Sequence, residues 1–126
     1  MRISIITVVL NNKSFLEDCL NSVLTQSYKN FEYIIVDGGS TDGTVDIIKK
    51  YKDKISKWIS EPDQGIYDAT NKGIKLVSGD IVGFLNSDDL YYDNTVLATV
   101  SNVMSDLSID GCYADLVYTE TQNVNK

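Results

Sequence analysis

Asp88 and Asp89 stand side by side directly after the apolar run Ile81-Val82-Gly83-Phe84-Leu85. Adjacent like charges repel, and a buried run is a poor neighbour for unpaired carboxylates. Two chemistries account for such a pair. Either both groups are solvated in a polar loop, or a hard divalent cation belongs between them. Mg2+ prefers oxygen and commonly takes only one or two carboxylates plus substrate phosphates. A cation here would therefore imply an anionic, phosphate-bearing ligand. With no histidine in the 126 residues, zinc sites and histidine-based triads are excluded. Acid–base or metal chemistry must use carboxylates.

Two further stretches carry polar groups at suggestive spacings. In "DGGSTDGT" (37–44), Gly38, Gly39 and Gly43 do not fit a G-x-G-x-x-G fingerprint, and no P-loop lysine follows. The stretch reads first as a strand-to-helix turn, with Ser40, Thr41 and Asp42 available as caps. Asp37, at the strand end, can accept a hydrogen bond from a nucleobase ring N–H. In "EPDQGIYDATNKG" (61–73), Asp63, Asn71 and Lys72 can line a crevice, and Gly65 permits close backbone approach. Singly, each also fits an ordinary loop or an exposed helix position. Tyr67, Tyr91 and Tyr92 read as packing residues.

Charge is distributed unevenly. Residues 1–75 hold 10 basic and 10 acidic side chains, whereas 76–125 hold 8 acidic and no basic ones. The net charge of -7 excludes nucleic-acid binding through a basic face. An anion approaching the acidic half needs a metal ion or backbone N–H groups. Cys19 and Cys112 do not suggest a disulfide framework and read as buried thiols of a reducing compartment. No charged leader with an apolar core opens the sequence, and no run approaches the ~20 apolar residues of a membrane span. A cytoplasmic location is the expectation.

The elements that must position these groups alternate. "ISIITVVL" (3–10) has the pattern of a strand buried on both faces. Ser14 and Glu17 form a capping-box pattern before an amphipathic helix over 15–26. "FEYIIVD" (31–37) is a second strand, followed by a helix carrying Val45, Ile47, Ile48 and Tyr51, whose C-terminal end suits Lys49, Lys50, Lys52 and Lys54. A short strand at 54–60, a helix at 65–79 stopped by Gly79, a buried strand "DIVGFL", a helix at 94–104 and a last strand at 111–119 complete the pattern. Such alternation predicts an α/β domain with a mainly parallel sheet over 1–119 and a polar tail at 120–126. In open sheets of this kind ligands gather beyond the carboxyl ends of the strands. Asn11-Asn12, Asp37-Gly38-Gly39-Ser40 and Asn86-Ser87-Asp88-Asp89 should then converge on one edge.

Taken in order, "SIITVVLNN", "VDGGSTDGT", "DQGIYDATNKGI" and "GDIVGFLNSDD" resemble the N-terminal half of a family 2 glycosyltransferase, like those of bacterial polysaccharide biosynthesis. The resemblance implies a three-layer GT-A fold, a Rossmann-like nucleotide-diphospho-sugar transferase. It also implies transfer of a sugar from a nucleotide diphosphate donor, usually UDP-linked, with inversion, to a glycan or lipid-linked acceptor. Mn2+ or Mg2+ is the implied cofactor, with Asp89 as ligand and Asp88 assisting through the ribose or a water. Nucleotide-sugar contacts fall on Val8, Val9, Asn11, Asp37, Ser40, Asp63, Gly65, Asn71, Lys72 and Asp88.

The chain departs from such relatives at three places. Many carry Thr-Tyr-Asn where Val9-Leu10-Asn11 stands, so aromatic stacking on the base is lost. They often have Asp-Asp-Gly-Ser where this chain has Asp37-Gly38-Gly39-Ser40, so one base-reading carboxylate is missing. Their general base lies well downstream of the metal motif, and Asp110, Asp115 and Glu120 have no matching context. The isolated chain is therefore expected to be a weak or inactive transferase, and a half-fold exposing its missing contact surface is expected to self-associate as a homo-oligomer. Location against the inner membrane face follows from the family alone. A non-catalytic nucleotide-sugar-binding module is the near alternative. A receiver-like signalling domain is remote, because its acid pair would follow the first strand and its lysine the last.

Overall fold

β-Branched and apolar residues fill four short strands, β1 (Ile3–Val9), β2 (Phe31–Asp37), β3 (Lys57–Ser60) and β4 (Ile81–Phe84). Between and after them run α1 (Lys13–Leu24), α2 (Thr44–Lys50), α3 (Ile66–Ile74) and α4 (Val96–Met104). The computed structural model describes residues 1–106. The expected strand at 111–119, with Cys112 and Asp115, lies outside the described residues, as do Asp110 and Glu120.

Among the described residues the four strands are parallel to one another, in the order β3-β2-β1-β4. Strand alternation splits its side chains between two layers. Ile3, Ile5, Val9, Tyr33 and Ile35 pack with Leu16, Cys19, Leu20 and Val23 of α1, Ile48 of α2 and Leu97 of α4. Ile6, Ile34 and Val36 face the other way, onto Ala69 of α3. Each fully buried aliphatic side chain contributes roughly 1.5–3 kcal/mol, so β1 and β2 anchor the domain. Helix α3 comes so close that a Cβ on Gly73 would lie 2.7 Å from the Ile6 Cγ2 methyl.

Several expected boundaries move, each for a local reason. Helix α1 begins at Lys13, so Ser14 falls inside its first turn and is exposed rather than capping. Glu17 instead accepts hydrogen bonds from Lys50 Nζ (2.8 Å) and Tyr51 Oη (2.6 Å), pinning α1 to α2. Helix α3 ends at Ile74, five residues before Gly79. Gly79 serves a close approach instead, since a Cβ there would meet Ser4 Oγ at 2.6 Å and Arg2 O at 2.8 Å. The expected strand at 54–60 shortens to Lys57–Ser60. Strand β4 is not buried on both faces: Val82 and Phe84 are exposed at the edge of the described sheet.

At the opposite end of the sheet from the acidic pair, Glu32 is a buried charge. Its Oε2 accepts from Ser4 Oγ (2.5 Å), Ser78 N–H (2.5 Å) and Ser78 Oγ (3.0 Å). Oε1 takes no hydrogen bond but faces Lys57 at 3.6 Å and Arg2 at 3.8 Å. Burial alone would raise this carboxyl. The bonds from Ser4 and Ser78 and the charge of Lys57 outweigh it and hold the group at about 2.

Candidate functional site

Because all four strands run the same way, the loops after them share one edge. Strand order reverses between β1 and β4, which is where an open α/β sheet leaves a crevice. Strand β1 ends in Asn11, the one described non-glycine residue with positive φ (48°). Asparagine tolerates that left-handed conformation better than most side chains. There its N–H donates to Ser40 Oγ (2.8 Å), and its Oδ1 accepts from Thr41 N–H (2.8 Å). Gly38 N–H donates to Val9 O at 2.9 Å, so the ends of β1 and β2 are knitted together. Val9 is buried, Val8 half-buried, and Leu10 exposed.

Asp37 is fully buried and spends its carboxylate on the chain itself. Its Oδ2 accepts from Gly39 N–H (3.1 Å), Ser40 N–H (2.9 Å) and Ser60 Oγ (2.8 Å), and its Oδ1 accepts from Ser40 Oγ. It thereby holds the Gly38–Thr41 turn and joins it to the end of β3. Asp42 acts across elements as well. Its Oδ1 accepts from Thr44 N–H (3.0 Å) and Thr44 Oγ1 (2.5 Å), and its Oδ2 from Lys13 N–H (3.2 Å) at the start of α1. The Thr44 hydroxyl bond leads the causes that lower its carboxyl. One turn thus caps two helices, and Ser40 and Thr41 are not the caps the spacing suggested.

The acidic pair is brought to the same edge by a different contact. Asn12 is at the cap position of α1, yet its side chain makes no capping bond. Its Nδ2 donates instead to Ser87 Oγ at 2.9 Å. From below, the buried Cys19 thiol donates to Asn86 O at 3.4 Å and lies beside the Thr7–Tyr33 hydroxyl pair. Ser87 is buried, and Asn86, itself exposed, is held through its carbonyl, while Asp88 and Asp89 remain exposed. The Asp89 carboxyl is raised, first by partial desolvation and then by the Asp88 charge, against a lowering bond from Asn86. A cation between the two would reverse that direction. Among the described residues no group of three or more His, Cys, Asp or Glu side chains could hold a metal. An ion held by this pair alone would need its remaining ligands from phosphate and water.

The loop from β3 to α3 closes another side. Glu61 N–H donates to Asp37 O (3.0 Å), and Pro62 packs on Gly39. Lys72 does not reach toward the acidic pair. Its Nζ donates to Pro62 O (3.1 Å) and pairs with Glu61 (3.1 Å) and Asp68 (3.7 Å), stapling the loop to α3. Partial burial works against its charge, but Glu61, Asp68 and Asp63 outweigh that and raise its pKa. Gly65 adopts φ 112°, and Asn71 is exposed on α3. Of the tyrosines expected to pack, Tyr91 does, whereas Tyr67 and Tyr92 are 85% and 79% exposed.

The residues that bind this edge together were only partly legible beforehand. Asn12 and Ser87 belong to the stretches expected to converge on this edge and Asp42 was an available cap, but their hydrogen-bond partners had no sequence signal. Ser60 and Cys19 carried none. Similarity to known proteins places the chain in a family. Residues 4–124 match the model of glycosyl transferase family 2. The chain belongs to that family. A PGL/p-HBAD biosynthesis glycosyltransferase of Mycobacterium bovis (strain BCG / Pasteur 1173P2) is 36% identical over 122 residues, covering 94% of this chain and 48% of the relative. Glycosyltransferase GlyA of Streptococcus pneumoniae is 31% identical over 90% of this chain and 17% of its own length. The chain spans about half the length of the curated mycobacterial relatives it matches. Among solved structures, S. aureus TarS 1-349 superposes with TM-score 0.78 at 24% identity, over 92% of this chain and 39% of TarS 1-349. A mannosyltransferase from Pyrobaculum calidifontis does so with TM-score 0.76 at 23% identity, over 82% and 32%. These likenesses establish the GT-A fold.

Proposed function

We propose that this family 2 chain is the donor-binding part of an inverting glycosyltransferase that takes a UDP-linked sugar and serves a glycan or lipid-linked acceptor. The observation that carries the reading is the Asn12–Ser87 hydrogen bond, which draws the acidic loop of β4 to the end of β1 at the reversal of strand order. Two solved proteins of this fold are described in complex with UDP-GlcNAc and with GDP-Man and Mn2+, respectively. That supports a nucleotide diphosphate in the corresponding crevice.

In this reading the end of β1, through the backbone at Val8 and Val9 and the exposed Leu10 side chain, gives the base backbone and apolar contact, and the backbone of Asn11 and Ser40 shapes the pocket mouth. Asp89 and Asp88 would hold Mn2+ or Mg2+, which when bound supplies Lewis-acid stabilisation of the departing diphosphate. Asp37 contributes by fixing the turn, its oxygens being engaged within the chain. Lys72 keeps the β3–α3 loop in place, and Gly65 and Asn71 lie beside the donor. In the transfer itself the bond from the anomeric carbon to the phosphate oxygen breaks. The acceptor oxygen bonds to that carbon from the opposite face, and its proton passes to a carboxylate base. No described residue is assigned as that base.

The test is thermal stability with UDP and with GDP, each with and without Mn2+, for the wild-type chain and Asp89→Ala. A ligand of the native state raises the melting temperature. Stabilisation by UDP that needs Mn2+ and disappears in Asp89→Ala is expected. Absence of any shift with either nucleotide would remove the donor-site reading.

A further inference from the structure

Gly38 is the first residue beyond β2, at the edge where the crevice opens, and it has no side chain to offer it. The space is not empty of chemistry. A Cβ built on Gly38 would lie 2.6 Å from Asp63 Oδ2 and 3.1 Å from its Cγ, so the Asp63 carboxylate stands where a side chain at 38 would stand. Asp63 comes from the β3–α3 loop, 25 positions away, and is held there from both sides. Its Oδ1 accepts Gly65 N–H at 3.0 Å, while Pro62 lies against Gly39 and Glu61 N–H bonds Asp37 O. Oδ2 takes no hydrogen bond from the described residues, and with Asp63 only half-buried it remains open to solvent.

Resting on the donor-site reading, we infer that Asp63 is the base-reading carboxylate of this site, delivered through the gap that Gly38 leaves. The carboxylate missing from the β2 turn is thus supplied by another loop, and the two positions form a coupled pair. A side chain at 38 and the present placement of Asp63 exclude one another, because no real Cβ tolerates a 2.6 Å contact with an oxygen. Asp37 does not compete for the role, since it is fully buried and accepts four hydrogen bonds from its own turn and β3.

The chemistry selects among bases. An ionised carboxylate only accepts hydrogen bonds. The free Oδ2 therefore matches a base whose pairing edge carries a ring N–H, as uracil and guanine do. Cytosine and adenine present a ring nitrogen lone pair at that place, which faces the carboxylate with like polarity. Asp63 should thus favour uridine and guanosine diphosphates over cytidine and adenosine diphosphates. A hydrogen bond to a charged acceptor makes that preference roughly 10- to 100-fold.

The experiment measures affinities of the 126-residue chain for UDP, GDP, CDP and ADP in Mn2+, using wild type, Asp63→Asn, Gly38→Asp and Gly38→Asp/Asp63→Gly. Circular dichroism confirms that each variant is folded. Wild type should prefer UDP or GDP. Asp63→Asn, which keeps an acceptor for Gly65 N–H, should lose that preference while pyrophosphate competes as before. Gly38→Asp alone should weaken binding, and the double variant should regain it, because the carboxylate then comes from position 38. Unchanged base preference in Asp63→Asn, or a double variant no better than Gly38→Asp, would overturn the assignment while leaving nucleotide binding intact. Failure of wild type to bind any of the four would overturn it together with the donor-site reading.

Discussion

Asn12 and Ser87 are joined by a 2.9 Å hydrogen bond between side chains 75 positions apart in sequence. The bond uses the residue at the cap position of α1, whose side chain would ordinarily satisfy its own helix. The vacated duty falls to Asp42, which accepts Lys13 N–H. A local rule is broken at the place where β4's acidic loop must meet β1, which is where functional sites tend to break one.

Removing that bond should loosen the acidic loop without unfolding the domain. Asn12→Ala and Ser87→Ala should each cost about 1 kcal/mol of stability, the usual net value of one hydrogen bond. Each should also weaken Mn2+-dependent UDP binding by ~10-fold. The double variant should lose little more than either single one, because both delete the same interaction. Denaturant melts and titration calorimetry check this. Additive losses would show that the two residues act separately.

The acidic pair should respond to pH in a defined direction. The Asp89 carboxyl is raised above its ordinary 3.8, by desolvation and then by Asp88. A cation binds the ionised form, so metal-dependent nucleotide affinity should fall on acidification at a higher pH than an ordinary aspartate would impose. Asp88→Asn removes one raising cause and should move that midpoint down. Measuring UDP affinity in Mn2+ across pH separates the two curves.

Glu32 should dominate acid stability at the other end of the sheet. Its folded-state value is lowered to about 2 from 4.5, so its contribution is present above the unfolded value and lost as pH falls through the folded one. The shift corresponds to roughly 3 kcal/mol in order of magnitude. Glu32→Gln should lower stability at neutral pH by ~2–3 kcal/mol and flatten the stability curve between about pH 4.5 and 2. Equal slopes in urea melts of both proteins across that range would contradict the assignment.

Gly79 tests whether close approach, not a helix stop, accounts for the glycine. A methyl group there meets Arg2 O at 2.8 Å and Ser4 N at 3.0 Å, both backbone atoms that move only with β1. Gly79→Ala should therefore destabilise by ~1–3 kcal/mol, the cost of overpacking. Because the site is at the other end of β1, nucleotide affinity should stay within about twofold of wild type.

How much of this could be read from the chain depends on the range of the forces involved. The alternation of apolar and polar residues is local, so strands β1 and β2, the helices and the parallel architecture were legible from Ile3 to Met104. Boundaries were less so. Ser14 and Glu17 have the spacing of a capping box, but the tertiary pull of Lys50 and Tyr51 on Glu17 overrides it. Gly79 has the look of a helix stop, and only the nearness of Ser4 and Arg2 reveals its use.

The same division holds at the site. The sequence by itself determined which carboxylates exist, that no histidine could replace them, and that a parallel sheet would bring three loops to one edge, because composition and periodicity are properties of the chain alone. It could not say which polar groups were already engaged. Asp37 turns inward because four donors of its own turn and of β3 surround it. Lys72 binds its own loop through Pro62 and Glu61, and Asp63 stands over Gly38. Those assignments depend on distances between residues remote in sequence, and hydrogen bonds act only over about 3 Å. Tertiary structure alone decides them.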